Sequence, residues 1–465
     1  MSLRSTILLA TLGTAVTLAL LLATHDWGVG HWPDGSVRFR YLLEDDGDRF
    51  IYEQRGRWLP SGRTPYIEEH SEYPQLATWL FAVPYLFFDS HVPVGRAQTA
   101  GEFRLATDDH AAYFDLHHVS MALSLLALLV LTALNLRSLG APPGYALLLF
   151  LPGTLYFSYN RFDAWPAAAV AGALLLQWRG HRHGAAALLG VGAMLKWFPI
   201  LLLPLFLAHN LRAREEDSEV GAAWRAAAGE PRHAPRRAPG ATRDGADDRG
   251  WLARLPSAVI LPGLTAAAVC LAVLAVTWSW GHGGLPALRY VYENQMGREP
   301  NPPSIVAALT VPTRWAVFAL ADQGWLSRLF MAVQFLPAFA LALFPIRTRR
   351  ALLLGCLTVV LGFMQFGKVF SPQWICWVTP LAILLAPRSV PCLLLLIAAE
   401  LAIYVQIPVM FYEAIGTPGA GGRGTPGFWA ACDTRIALLF LFWAWSFAAF
   451  LRTVLARSPA PAATS

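Results

Sequence analysis

Apolar runs near the ~20 residues that carry a helix across a bilayer recur along the whole chain, and short turns bearing arginine separate them. They lie at about Ser5 to Thr24, Val119 to Leu136, Tyr145 to Ser158, Asp163 to Trp178, Ser257 to Trp280, Leu326 to Phe344, Ala351 to Phe366, Trp374 to Ala386, Pro391 to Phe411 and Arg435 to Leu451. A chain of 465 residues that is 55% hydrophobic and only 14% charged has the usage of a membrane protein. The first run follows Arg4 and is long and uniform, so it reads as a retained helix rather than a removed signal. The fold class is therefore all-α, a polytopic integral membrane protein with about 12 crossings. Two of these come from residues Ala185 to His209, which lie between basic flanks and must enter and return near Lys196-Trp197-Phe198-Pro199. Short, broken helices of that kind are tolerated only where protein or a wet cavity covers their backbone.

Arg137, the cluster Arg179 to His183, and Arg347, Arg349 and Arg350 fall on one side of these crossings. The positive-inside rule makes that side cytoplasmic and explains the net charge of +6 without nucleic acid as a partner. The five cysteines fall mostly within apolar runs without paired spacing, which argues against a disulfide framework or a zinc site. Residues 1–209 form one membrane half and 255–455 the other. The polar, Ala/Pro/Arg-rich stretch 210–254 is expected to be a flexible cytoplasmic linker and 456–465 a cytoplasmic tail.

One loop is chemically unlike the rest. Fifteen of the 30 carboxylates fall between Asp26 and Asp115, in a first outer loop spanning about residues 25–116. Within it, Gln75 to Phe88 is apolar but short and interrupted by Pro84, which predicts an interfacial helix on the same side as Asp48. Glu44, Asp45, Asp46 and Asp48 lie at the mouth of this loop, where an acceptor hydroxyl would need a general base. Most residues of such a run are simply a solvated acidic turn. Asp48 stands apart because Phe50, Tyr52 and Trp58 follow it at spacings suited to a helix lying on a membrane. Asp45 and Asp46 remain alternatives.

Of 36 lysines and arginines only Lys196 and Lys368 are lysines, and both fall at outer ends of apolar runs, against the positive-inside rule. An anionic phosphate at the outer interface would answer that placement; the ordinary alternative is a lysine snorkelling to the surface. Arg289 and Arg298 in the second outer loop are further phosphate candidates. The stretch FGKVFSPQWICWVTP, residues Phe366 to Pro380, supplies a cation, a Ser-Pro helix start and two tryptophans one turn apart. Asp163 reads as a charge at a helix N-terminus. Glu400, near the middle of its run, would hydrogen-bond a neighbouring helix or relay protons.

These motifs resemble a known group. Asp48-x-x-x-Tyr52, Gly62-x-x-Pro-Tyr66 and Glu72-Tyr73-Pro-x-Leu76 are similar to the first outer loop of the GT-C glycosyltransferases, and GVGAMLKWFPILLLP and GKVFSPQWICWVTPL resemble the bacterial polyprenyl-phosphate-mannose mannosyltransferases of glycosyltransferase family 87. The resemblance implies a GT-C membrane enzyme that takes a sugar, mannose by analogy, from a polyprenyl-phosphate donor. It would hand the sugar to a lipid or glycan acceptor on the outer face of the plasma membrane, with inversion. Carried over residue by residue, it puts the base at Asp48, phosphate-facing cations at Lys196 and Lys368, and substrate contacts at Tyr52, Tyr66, Glu72, Tyr73, Asp163 and Gln373. It implies no cofactor, and because phosphate is already a good leaving group the transfer needs no metal, although the acidic cluster could bind one; the partners are the donor, the acceptor and membrane lipids. The chain departs from the pattern in its Tyr73-Pro74-Gln75 and in the proline-rich ENQMGREPNPPS of the second outer loop. The rival readings are a lipid or sugar transporter or flippase, which would favour repeats and midplane charge, and a membrane scaffold, for which so acidic a loop has no evident use.

Overall fold

The computed structural model describes residues 46–88, 107–212, 255–279, 284–310, 317–319, 323–410 and 425–456. The first apolar run, most of the 210–254 linker and the last nine residues lie outside them. Every described element is helical, and among the described residues the only extended pairing is an isolated bridge between Pro65 and Glu69.

Among the described residues, five helices are long and apolar enough to cross a membrane: Ala112–Ser138, Pro256–Ser279, Gln323–Ala342, Val390–Met410 and Pro426–Leu455. Several other runs are shorter or broken. Residues 143–160 divide at Leu151-Pro152 into a 3-10 turn, Pro143–Phe150, and the helix Pro152–Asn160. Ala164–Trp178 has 15 residues, Arg349–Gln365 has 17 and Ile375–Leu385 has 11. The short helices are also the enclosed ones: every residue of Ile375–Leu385 is buried, as are nearly all of Arg349–Gln365. The long Pro256–Ser279 shows most of its surface. A helix apolar all round belongs inside a bundle or against lipid, and Ile375–Leu385 and Arg349–Gln365 are of the first kind.

The helix Thr107–Ser138 begins well before the expected entry at Val119. Its 32 residues run for about 48 Å at 1.5 Å each, against a hydrocarbon slab of about 30 Å, so its first turns stand clear of the apolar layer.

The two ends of the bundle differ in chemistry. At one, Arg349 donates to the carbonyls of Ser138 (3.0 Å) and Trp178 (3.5 Å), Arg388 to that of Leu139 (2.6 Å), and Arg212 to that of Ala342 (2.9 Å). Gln177 Nε2 donates to Asn210 Oδ1 at 2.6 Å at this same end. The helix Arg182–Leu195 thus starts at the arginine end, breaks at Lys196 in extended backbone (φ −158°, ψ 133°), and returns through Phe198–Leu202 and Leu203–Arg212 to where it began. The reversal stands where Lys196 and Pro199 pointed.

The acidic loop folds over the opposite end. Asp46–Gly56 packs on Gln75–Ala82, and Gly56 permits the close approach, because a Cβ there would stand 2.1 Å from the Phe81 carbonyl oxygen. Gln75–Ala82 has eight residues and continues only as the 3-10 turn Val83–Leu86, about 20 Å in all, too short to span. The Gly-x-x-Pro-Tyr motif is a backbone device. Gly62 (φ 66°) closes the turn Trp58–Ser61 in the left-handed region, and Tyr66 (φ 69°) adopts it too, held by its hydroxyl, which hydrogen-bonds with the Tyr73 carbonyl (2.9 Å) and Thr78 Oγ1 (2.8 Å).

Candidate active site

Asp48 and Tyr52 lie one turn apart on the loop helix Asp46–Gly56 and so share a face. Tyr52 is fully buried: its ring stacks on Phe81 (4.5 Å) and meets Tyr73 (5.7 Å), Phe162 (5.5 Å) and His117 (5.5 Å). Asp48 keeps about a quarter of its side chain open, and its Oδ2 stands 2.7 Å from Nε of Arg161 as an ion pair rather than an aligned hydrogen bond. The turn that carries Arg161 sits between the helices Pro152–Asn160 and Ala164–Trp178, and Arg161 itself is extended (φ −133°, ψ 149°).

Two residues beyond, Asp163 is wholly buried. Lys196 Nζ lies 2.9 Å from its Oδ1 and 3.1 Å from its Oδ2, and Trp377 Nε1 donates to Oδ1 at 2.9 Å. The ammonium also faces the rings of Phe162 (4.7 Å), Trp377 (5.6 Å) and Tyr73 (5.8 Å). Lys196 therefore does not snorkel outward. The break after Leu195 points it inward against an aromatic wall, and Phe198 stacked on Trp377 at 4.0 Å supports that wall. The result is an alternating series, Asp48 with Arg161 and Asp163 with Lys196, lined by Tyr52 and Tyr73. Burial raises the pKa of both phenols well above the ordinary value, and Asp48 and Asp163 add to the effect, so both stay protonated. The Tyr52 hydroxyl is buried with no hydrogen-bond partner.

The other candidates group differently. Asp46 opens the loop helix, and Asp45 lies outside the described residues. Glu72 pairs with Arg55 at 2.8 Å, and its carbonyl accepts from Gln295 Nε2 at 3.1 Å. Gln295 belongs to the helix Gly284–Gly297, which also packs Ala287 and Val291 on Tyr66. Arg289 is exposed on this helix. Lys368 donates to the Met296 carbonyl at 2.8 Å; burial lowers its pKa, and the nearby Arg298 lowers it further. Gln373 is buried at the start of the turn before Ile375–Leu385. Lys196 and Lys368 are thus held by different partners, an acid for one and a carbonyl for the other. Among the described residues, no three His, Cys, Asp or Glu side chains converge as a metal would require.

The proline-rich departure ENQMGREPNPPS has a structural use. Asn301 accepts from the Phe370 amide (2.8 Å) and donates to its carbonyl (2.6 Å), while its own amide reaches the Lys368 carbonyl (3.2 Å). Asn301 thereby clasps the FGKVFSPQW segment. Arg435, 1% exposed, lies over the Phe370 ring at 3.5 Å and donates to Gln406 Oε1 (2.9 Å) and to the Pro303 carbonyl.

Sequence reasoning missed Arg161 and the pair His117 and His118, and it noticed Trp377 only as one of two tryptophans near a helix start. His118 meets Arg49 and stacks on Tyr159 at 4.4 Å. A signal existed for Arg161: it stands at the outer end of its run against the positive-inside rule, as the two lysines do.

Residues 111–229 match the family model of glycosyltransferase family 87. The match supports assignment to family 87. Its span takes in His117, Arg161, Asp163 and Lys196, so the family 87 segment supplies one wall of the site while the acidic loop supplies the other. A membrane glycosyltransferase is the activity that family 87 indicates. No curated protein matches the chain.

Proposed function

We propose that this chain transfers a sugar, mannose by analogy, from a polyprenyl-phosphate donor to a lipid or glycan acceptor at the outer membrane surface, with inversion. The observation that carries the reading is the Asp48–Arg161 pair. A partly open carboxylate is held in place by a cation from the family 87 segment, at the end of the bundle away from the arginine cluster.

In this scheme Asp48 accepts the proton of the acceptor hydroxyl while that oxygen attacks the anomeric carbon. The bond from that carbon to the phosphate oxygen breaks, and the electron pair leaves with polyprenyl phosphate. The phosphate is a good leaving group in need of cations rather than a proton. Lys196 donates to Asp163 Oδ2 and faces Oδ1 as an ion pair, and an ammonium has three hydrogens, so it still has donor capacity to offer. Lys368 and Arg298 are neighbouring cations whose mutual repulsion a phosphate would relieve. Asp163 orients Lys196, and Tyr52 has a phenol hydrogen available for the sugar.

The test incubates membranes containing the protein with labelled polyprenyl-phosphate mannose and a lipid extract, then identifies the product and its anomeric configuration. A mannosylated product of inverted configuration is the expected result. Donor turnover only with another sugar would remove mannose from the reading, and retained configuration would remove Asp48 as a simple base.

A further inference from the structure

The end of the bundle opposite the candidate active site contains a cavity of about 540 Å³. It lies some 20 residues along the helix Thr107–Ser138 from His118, about 30 Å at 1.5 Å each. Four arginines line it, Arg137, Arg349, Arg350 and Arg388, and among the described residues none of the lining is acidic. Two helix N-termini open onto the same space. Thr348 caps Arg349–Gln365 by accepting from the Ala351 amide, Ser389 caps Val390–Tyr404 by accepting from the Cys392 amide, and both caps belong to the lining. Each such terminus carries a partial positive charge that favours an anion.

The rest of the lining is of the opposite kind. Leu353 and Leu354 lie one turn into the bundle from Arg349 and Arg350, Leu384 and Leu385 one turn before Arg388, all four are buried, and Trp445 also lines the space. Charge at one end and leucine at the other is the chemistry of a lipid, with a phosphate for the guanidiniums and an acyl chain for the leucines. A planar guanidinium forms paired hydrogen bonds to phosphate oxygens, and among the described residues every cation in the lining is an arginine. We propose that this cavity binds the phosphate headgroup of an anionic membrane lipid, apart from the donor lipid and at the other end of the bundle. The proposal does not depend on the reaction assigned to the first site. Arg349 also bonds to the Ser138 and Trp178 carbonyls, so a lipid seated here would tie together the ends of three helices.

The test measures lipid retention on the purified full chain by native mass spectrometry, with phosphatidylglycerol and phosphatidylcholine offered in equal amounts. Phosphatidylglycerol should be retained selectively. Arg350→Gln and Arg388→Gln should each weaken that retention about fivefold, the factor expected when one arginine beside an anionic lipid is lost. Arg328→Gln, exposed on the helix Gln323–Ala342 and outside the cavity, should leave retention unchanged. Equal retention of the two lipids, or undiminished retention in both cavity variants, overturns the proposal. Inorganic phosphate serves as a competitor: displacement of the lipid at low millimolar concentration would make this a free-phosphate site and overturn the lipid assignment. Should either arginine variant fold poorly, Thr348→Cys provides a second reading. Phosphatidylglycerol should slow its reaction with a thiol reagent where phosphatidylcholine does not, and equal rates count against the site.

Discussion

Lys196 Nζ stands 2.9 Å from Asp163 Oδ1, at the point where the family 87 segment reverses direction inside the bundle. The two charges come from different helices, and each is the main counter-ion of the other. Removing one leaves the other buried and uncompensated, which typically costs 3–5 kcal/mol, roughly.

Lys196→Met and Asp163→Asn should therefore each lower the unfolding midpoint in detergent, and Lys196→Met with Asp163→Asn together should lower it by less than the sum of the two. Thermal unfolding of the four proteins reads this coupling. Strict additivity would show that the contact carries no interaction of its own.

Asp48→Asn should abolish transfer while expression and donor binding stay close to the parent, because the amide keeps the shape and Arg161 still has an oxygen to face. Single-turnover assays with labelled donor measure it. Normal turnover would pass the role to Asp45 or Asp46.

Lys368 gives a pH prediction. Its pKa is lowered by burial and then by Arg298, so its ammonium is lost at a lower pH than for an ordinary lysine. If it holds the donor phosphate, the KM for the donor should rise on the alkaline side, and Lys368→Arg should move that rise to higher pH because guanidinium stays charged. Superimposable profiles for parent and variant would take Lys368 out of donor binding.

Sidedness is open to thiol labelling. Ile67 is 51% exposed on the acidic loop, and Arg350 is exposed at the arginine end. After Cys270→Ser removes the one half-buried native thiol, Ile67→Cys should react with an impermeant reagent applied outside, and Arg350→Cys only after the membrane is opened. Reaction of both from one side would reverse the assignment of the site to the outer face.

Glu400 is buried in the helix Val390–Tyr404, yet it serves another helix. Its carboxylate accepts from the Thr154 amide (2.7 Å) and Oγ1 (2.5 Å) and from Thr379 Oγ1, so it caps the N-terminus of Pro152–Asn160 from across the bundle. Glu400→Ala should cost about 1–3 kcal/mol through the orphaned Thr154 amide, with Glu400→Gln milder. Gly153→Ala should be as damaging, since its Cβ would fall 2.6 Å from Glu400 Oε2. Because Pro152–Asn160 leads directly into Arg161, activity should fall with stability in all three. Unchanged unfolding of Glu400→Ala would dismiss the brace.

What the sequence disclosed and what it hid follow from the range of the interactions. Asp48 with Tyr52 was legible because four residues on a helix is a local spacing. The break at Lys196 was legible because the basic flanks of the run demanded a return and Pro199 marked the place. The hydrogen bonding of Glu400 was legible from the cost of a carboxylate at that depth. The Arg161 contact with Asp48 was not legible, since it joins residues on separate loops and depends on how the acidic loop lies over the bundle. Nor was the early start of Thr107–Ser138, whose first turns are too polar to read as part of a crossing and are held by rings such as Tyr85 against Tyr113 at 5.2 Å.

The clasp of Asn301 on Phe370 bears on how such enzymes can be recombined. Both ends of that contact lie beyond residue 300, but the helix before it docks on Tyr66 and Glu72 of the acidic loop. A chimera that exchanges the second outer loop alone would arrive with an asparagine facing a foreign 366–380 segment and a helix facing a foreign Tyr-Pro-Gln turn. Residues 62–75, 284–304 and 366–380 should be transplanted as one cassette, even though the sequence scatters them over three hundred positions.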